Sequence, residues 1–251
     1  MKELYSKKEC VFCGYKCDKD SIFCTCCGAK LSDDNIDNNN LLNTQQNLKD
    51  FIIVENILVK YQGKEHNVII PYGVSKIGAE AFCLNYDLET VVIPDTVVTI
   101  GCSAFSACHN LKSLFIPNSV KKIEKNAFSN SGLQSIELST SIKDIDEKVF
   151  YGCTNLININ IPDSVESIGF GAFSFCNSLI KVTMSNSVKS IGAHAFSGCK
   201  CLVSVEIPTS VKNIDAFAFK SCYNLTYILM PHIKYEENVF LECPNINIKY
   251  Y

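Results

Sequence analysis

From Ile70 onward the chain repeats a single unit of 23 residues. IPDTVVTIGCSAFSACHNLKSLF begins at Ile93, IPDSVESIGFGAFSFCNSLIKVT at Ile161 and IPTSVKNIDAFAFKSCYNLTYIL at Ile207. Further copies begin at Ile70, Leu138 and Met184, the copy at Ile116 is one residue short, and a truncated copy, MPHIKYEENVFLECPNINIK, begins at Met230. A fixed period of this length is the mark of a stacked repeat architecture. One unit cannot bury its own apolar face, so neighbouring units must cover each other. The sequence therefore predicts a solenoid, in which equivalent residues form rows and function resides on a surface made of rows.

Within one unit, Ile161, Val165, Ile168, Ala172, Phe173, Cys176, Leu179 and Val182 mark positions that are apolar in nearly every copy. These are the predicted core. Pro94, Pro117, Pro162 and Pro208 mark where a strand ends, because proline cannot donate to a ladder. Gly101, Gly169 and Gly192 suggest another turn. Phe82, Phe105, Phe128, Phe150, Phe173, Phe196, Phe219 and Phe240 form an aromatic row, read as a buried spine. Cys108, Cys153, Cys176, Cys199, Cys222 and Cys243 form a second row three residues later, with Asn85 and Ser131 in the remaining copies. A row shared with such small partners fits free, buried thiols better than disulfides.

The segment leading into each Ile-Pro, such as 202–207, reads as the ladder strand. Alternation turns Val205 and Ile207 inward and Ser204 and Glu206 outward. Most outward residues are small and polar. Phe115, Tyr227 and Leu229 are the exceptions and are candidate partner-binding residues, with Glu137 and Glu206 beside them in the same rows.

The pattern I-P-x-S-V-x-x-I-G-x-x-A-F-x-x-C-x-x-L-x-x-V resembles the BspA-like leucine-rich repeat over residues 70–251. The resemblance implies a leucine-rich-repeat solenoid, β-dominated and of the α/β horseshoe type, with about eight repeats. Similar proteins are typically surface-exposed adhesion or binding proteins. Ser139 and Ser185, standing where proline is usual, and the deletion near Gly132 predict local kinks within that fold.

The N-terminus carries a different signal. Cys10-Val-Phe-Cys13-Gly14 is followed by Cys24-Thr-Cys26-Cys27-Gly28. A two-residue gap lets one tight turn aim two thiolates at one ion, and the following glycine lets the turn close. Two such knuckles supply the sulfurs for tetrahedral zinc, so Cys10, Cys13, Cys24 and Cys27 are the expected ligands. A shell closed by cysteine alone is structural rather than catalytic. Cys17 and Cys26 are left over and read as incidental thiols. Residues 9–31 resemble the short zinc ribbons found at the N-termini of many microbial multidomain proteins, which implies zinc and a protein contact but no reaction.

The expected organisation is a zinc ribbon over 1–31, a polar linker over 32–50, a capping hairpin over 51–69, leucine-rich repeats over 70–229 and a truncated capping repeat over 230–251. The linker, rich in Asn and Asp, holds too little apolar surface to offset its ordering entropy. In the cap, 51–61 reads as one strand, Gln62-Gly63-Lys64 as the turn and 66–70 as the return strand.

Net charge is −3 and all 23 basic residues are lysine, which argues against base-specific nucleic-acid recognition. No apolar run is long enough to span a membrane and no secretory signal is seen, so the expected location is cytoplasmic, with surface exposure as the alternative. His66, His109, His194 and His232 share no repeat position, and no nucleophile or phosphate-binding motif is found. The expected role is thus a non-enzymatic protein-interaction module that binds a protein partner. The alternatives are a zinc-ribbon, nucleic-acid-associated regulatory factor and an adhesin-like surface protein exported without a recognisable signal.

Overall fold

The computed structural model describes residues 48–251 and the short strands Lys8–Glu9 and Lys16–Cys17. From Asn67 the chain winds as a β-solenoid, each turn crossing two parallel ladders. The first ladder uses three-residue strands such as Asn158–Asn160 and Lys181–Thr183, paired residue for equivalent residue: Asn158 with Lys181, Ile159 with Val182, Asn160 with Thr183. The second uses two-residue strands such as Ser167–Ile168 and Ser190–Ile191, again in register. In both, the β-branched residue points inward and its polar neighbours outward, as the two-residue alternation requires. The strands are short because each runs into a turn, the first at the Ile-Pro position and the second at Gly or an acidic residue.

The third side of each turn of the solenoid is built from consecutive tight turns. Its backbone is still laddered between rungs: Phe82 N–H donates to Ala104 O at 2.8 Å, Phe105 to Ala127 at 2.7 Å and Phe173 to Ala195 at 2.7 Å. Those inter-rung bonds take the donors that a helix would have used internally. Among the described residues the only helical elements are the 3₁₀ turns Leu48–Asp50 and Glu237–Phe240, so this horseshoe carries turns where helices would stand.

The phenylalanine row is a continuous buried stack from Phe82 to Phe219, with half-buried Phe240 completing it. Ring centroids are 4.9 Å apart at Phe82–Phe105, 5.5 Å at Phe128–Phe150 and 5.2 Å at Phe173–Phe196, with planes within 8° of parallel. The ladder spacing of about 4.8 Å sets this distance and forbids the edge-to-face geometry that free rings often adopt. Tyr61 extends the stack at 5.2 Å from Phe82, and Phe51 lies 4.9 Å beyond Tyr61.

The cysteine row has a hydrogen-bonding role as well as a packing one. Cys108 Sγ donates to the Phe82 carbonyl at 3.1 Å, Cys176 to Phe150 and Cys199 to Phe173 at 3.2 Å. Each of these phenylalanine carbonyls thus receives an N–H from its own rung and an S–H from the next; Phe105, followed by Ser131 in the next rung, does not receive an S–H. The position calls for a small apolar side chain with one weak donor, which is what a thiol offers. Burial pushes the Cys108 thiol up to about 12 and Cys153 up to about 11, and raises Cys176 and Cys199 as well.

Of the expected kinks, those near Gly132 and Ser139 coincide with an interruption of the short-strand ladder, whereas both ladders continue past Ser185. The short-strand ladder runs from the hairpin strands Phe51–Val54 and Ile57–Tyr61 to Lys122–Ile123 and restarts at Asp144–Ile145. The missing residue is absorbed at Gly132, where a Cβ would fall 1.9 Å from the His109 carbonyl. That close approach takes up the shortfall, so Ser135–Glu137 still pairs in register with Ser113–Phe115. At the first of the two proline-less copies, buried Ser139 bonds the Val120 carbonyl at 2.6 Å and accepts Ser141 N–H at 3.1 Å, holding the turn that proline holds elsewhere.

The N-terminal hairpin differs from its expected placement. It lies wholly within 51–61, with Phe51–Val54 antiparallel to Ile57–Tyr61 about a two-residue turn. Glu55 and Asn56, at φ of 48° and 62°, supply the left-handed conformations such a turn needs. Asn67–Ile69 is not its return strand; it opens the other ladder by pairing with Thr90–Val92. At the far end Asn247–Tyr250 adds a last parallel strand to Tyr227–Met230.

Candidate binding surface

The sequence-predicted residues all lie on the outward rows of the first ladder, but they fall into two separate groups. Phe115 stands beside Glu137, its register partner, and both are exposed. Glu206, Tyr227 and Leu229 lie at the far end, beyond rungs that present Asn160 and Thr183. There the terminal strand engages them. Tyr251 Oη donates to Glu206 at 2.9 Å, Lys249 Nζ sits 5.8 Å from the Tyr227 ring centre, and Leu229 is flanked by Glu206 and Lys249. Burial, and then the Glu206 carboxylate, push the Tyr251 phenol up to about 12. Tyr227 and Leu229 are half-buried beneath the chain's own C-terminus, and Phe115 remains as an isolated exposed ring.

The larger aromatic cluster lies on the turn side. A cleft of about 440 Å³ runs across several rungs between two walls. One wall is Phe170, His194 and Phe217. Phe170 meets His194 edge-on at 5.6 Å, and His194 stacks on Phe217 at 5.0 Å. Lys148 and Lys220 close the two ends of this row, their ammonium groups 5.3 Å and 5.8 Å from the Phe170 and Phe217 ring centres. The other wall is Tyr151 against Phe175, edge to face at 5.5 Å. Ser174 and Ser197 form the floor, Ser174 donating to the Ser197 carbonyl at 3.2 Å. Glu242 closes one end, accepting from Ser221 at 2.6 Å with Lys220 at 3.7 Å. The Ser221 hydroxyl, with Lys220 and Tyr223, holds its carboxyl below the usual carboxylate range.

The backbone places these side chains. Two positions in each complete rung of the turn side adopt positive φ, and the truncated last rung keeps one, Glu242. One row is Glu80, Ser103, Asn126, Lys148, Gly171, His194 and Phe217; the other includes Ala107, Asn130, Gly152, Phe175, Gly198 and Ser221. Left-handed backbone suits glycine and asparagine and is costly for bulky residues. Phe217 at 62° and Phe175 at 61° are therefore set against local preference, and 45% of Phe175 remains exposed. Sequence reading missed this cleft. The available signal was a column of small or polar residues interrupted by phenylalanine.

Cys10, Cys13, Cys24 and Cys27, the predicted zinc ligands, lie outside the described residues. Among the described residues no group of three or more His, Cys, Asp or Glu is disposed to hold a metal ion. No helix among them is long and apolar enough to cross a membrane.

In-register rungs, an inward row of aliphatic residues and a laddered turn side together define a leucine-rich-repeat β-solenoid. The description "BspA type Leucine rich repeat region (6 copies)" matches residues 75–189 and 167–250, more than half of the chain, and the chain belongs to that family. No curated protein matches it. Among solved structures it is similar to a leucine-rich repeat protein of T. pallidum, TpLRR, at 29% identity and a TM-score of 0.63, over 70% of this chain and 88% of that one. It is also similar in fold to a leucine-rich repeat protein of Eubacterium ventriosum, at 24% identity and a TM-score of 0.57, over 70% of this chain and 50% of that one.

Proposed function

We propose that the chain is a non-enzymatic interaction module whose turn-side cleft receives an extended segment of a partner protein. The carrying observation is the pair of phenylalanines held at left-handed backbone positions and left partly in solvent. A site that accepts backbone strain to fix aromatic side chains is pre-organised, and rigid aromatic anchors are the usual centres of binding energy. The lysines capping the Phe170–His194–Phe217 row hold the rings in place before any partner arrives.

The N-terminal module is a structural zinc ribbon under the same proposal, with Cys10, Cys13, Cys24 and Cys27 as ligands. The antiparallel pair Lys8–Glu9 with Lys16–Cys17 supports this, because the sequence between those strands contains Cys10 and Cys13.

The test compares capture of partners from the source organism by the whole chain and by a Phe175→Asn/Phe217→Ser variant, which carries residue types found in the same rows of other rungs. The expected result is a captured protein that is lost with this variant and kept with Phe115→Ser. Loss with Phe115→Ser alone would move the interaction to the strand face and overturn the assignment.

A further inference from the structure

The short-strand ladder ends at the strand Phe51–Val54, which has no neighbour beyond it among the described residues. Its residues, FIIV, carry no charge, and three of the four are exposed: Ile52 at 42%, Ile53 at 38% and Val54 at 55%. An uncharged, apolar edge strand is a template for another strand, and proteins usually guard such edges with charge. The terminal strand at the other end of the molecule follows that practice, carrying Lys249.

The free backbone groups follow from the observed pairing. Gln62 N–H donates to the Asp50 carbonyl at 2.9 Å, so Asp50 faces the partner strand of the hairpin. Ile52 pairs with Lys60 and Ile53 with Leu58, which leaves the extra residue, Val59, on the partner strand and Phe51–Val54 regular. Alternation then turns Ile52 and Val54 inward and sends the N–H and C=O of Phe51 and Ile53 to the open edge.

We propose that this edge pairs with the same edge of a second copy of the chain, antiparallel about a two-fold axis at Ile52. This inference is independent of the turn-side cleft. Only registers that oppose outward residues to outward residues can bond. Centred on Ile52, Phe51 of each copy meets Ile53 of the other, so every outward group of the strand is used. The same register sets Ile52 against Ile52 and brings Lys49 of each copy to Glu55 of the other, both exposed. A shift of two residues either way sets Phe51 or Ile53 against itself and sends the other of the two beyond the end of the opposing strand. The symmetric arrangement is isologous and closed, so it stops at two chains.

The experiment is light scattering behind size exclusion on the full chain, from low to high micromolar, for wild type and three variants. Ile53→Pro removes an outward N–H and leaves the hairpin bonds intact, since proline is tolerated at that side of an edge strand. Lys49→Glu opposes like charges, and Lys49→Glu/Glu55→Lys restores the opposite pair. The expected result is a two-chain mass for wild type and the double swap, with association weakened roughly tenfold or more in Ile53→Pro and Lys49→Glu. Far-ultraviolet circular dichroism unchanged among the four shows that the fold is kept. A one-chain mass for wild type at every concentration, as when the chain's own N-terminal residues cover the edge, would overturn the proposal. So would a two-chain mass indifferent to both single variants.

Discussion

Phe175 lies across Gly198 of the following rung, so closely that a Cβ on Gly198 would come within 2.8 Å of the ring. The same relation recurs nearby: a Cβ on Gly152 would meet the Asn130 amide, and one on Gly171 would touch the Lys148 stem at 3.4 Å. The Phe175 ring leans along the solenoid axis over the glycine of the next rung, which leaves it room. The cleft is therefore a product of two rungs at once, one supplying the ring and the next supplying the space.

Gly198→Ala should lower stability by about 1–3 kcal/mol, from a Cβ at φ of 74° and from displacement of the ring. Urea unfolding of the single variants and of Phe175→Asn/Gly198→Ala measures the two parts. The alanine should cost less once the ring is gone; an identical cost in both backgrounds would confine the effect to the backbone.

Phe150→Ala removes a ring stacked on both faces in the middle of the spine and should cost about 3–5 kcal/mol. Phe240→Ala, at the half-buried end, should cost clearly less. Thermal and denaturant unfolding of the pair decides the matter, and equal losses would contradict a spine whose centre is its strongest part.

The buried thiols make stability depend on alkaline pH. Their folded pKa values lie above the ordinary 9.0, so the folded state keeps protons that the unfolded state releases. This contribution is fully present below pH 9 and is lost as pH rises, toward about 11 for Cys153 and about 12 for Cys108. Each thiol adds a slope of about 1.4 kcal/mol per pH unit within its window. Unfolding midpoints at pH 8, 9 and 10 should stay level and then fall, and Cys153→Ala should flatten the fall.

Native mass spectrometry of the full chain should find one bound zinc, absent from Cys24→Ser and released by a strong chelator. The strand signal of the solenoid should survive that release, since its core contains no metal ligand among the described residues. Zinc that persists in Cys24→Ser would point to ligands other than the two CxxC pairs.

The inward rows were legible because their chemistry repeats in nearly every copy: Phe at one position, Ile or Val at two others, Cys at a fourth except at Asn85 and Ser131. Burial depends on side-chain type, and type is written directly in the sequence. The left-handed rows were not legible, because conformation there is imposed by the neighbouring rung. Glu80, Lys148 and His194 share a φ near 55° and have nothing in common as residues. Phe115 was placed correctly on the outward face, yet what surrounds it depends on distant rungs. Tyr227 and Leu229 looked like free anchors because, although the last copy was expected to cap this end, the reach of Lys249 to Tyr227 and of Tyr251 to Glu206 is not written in the repeat. In the hairpin, Asn56 was the turn signal, but the apolar residues on either side concealed it.

Many of the bonds between rungs link residues about one rung apart: Cys108 to the Phe82 carbonyl, Ser139 to Val120, Ser174 to Ser197. A chain wired mostly to its nearest copies, with a few pairs such as Lys76–Glu124 reaching two rungs, can gain or lose a unit by duplication or deletion in the gene with few partners left unmatched. The short copy at Gly132 shows that even an imperfect event is absorbed locally. Length is thus a freely adjustable property of this molecule, and the reach of its surface can change over generations while its core stays the same.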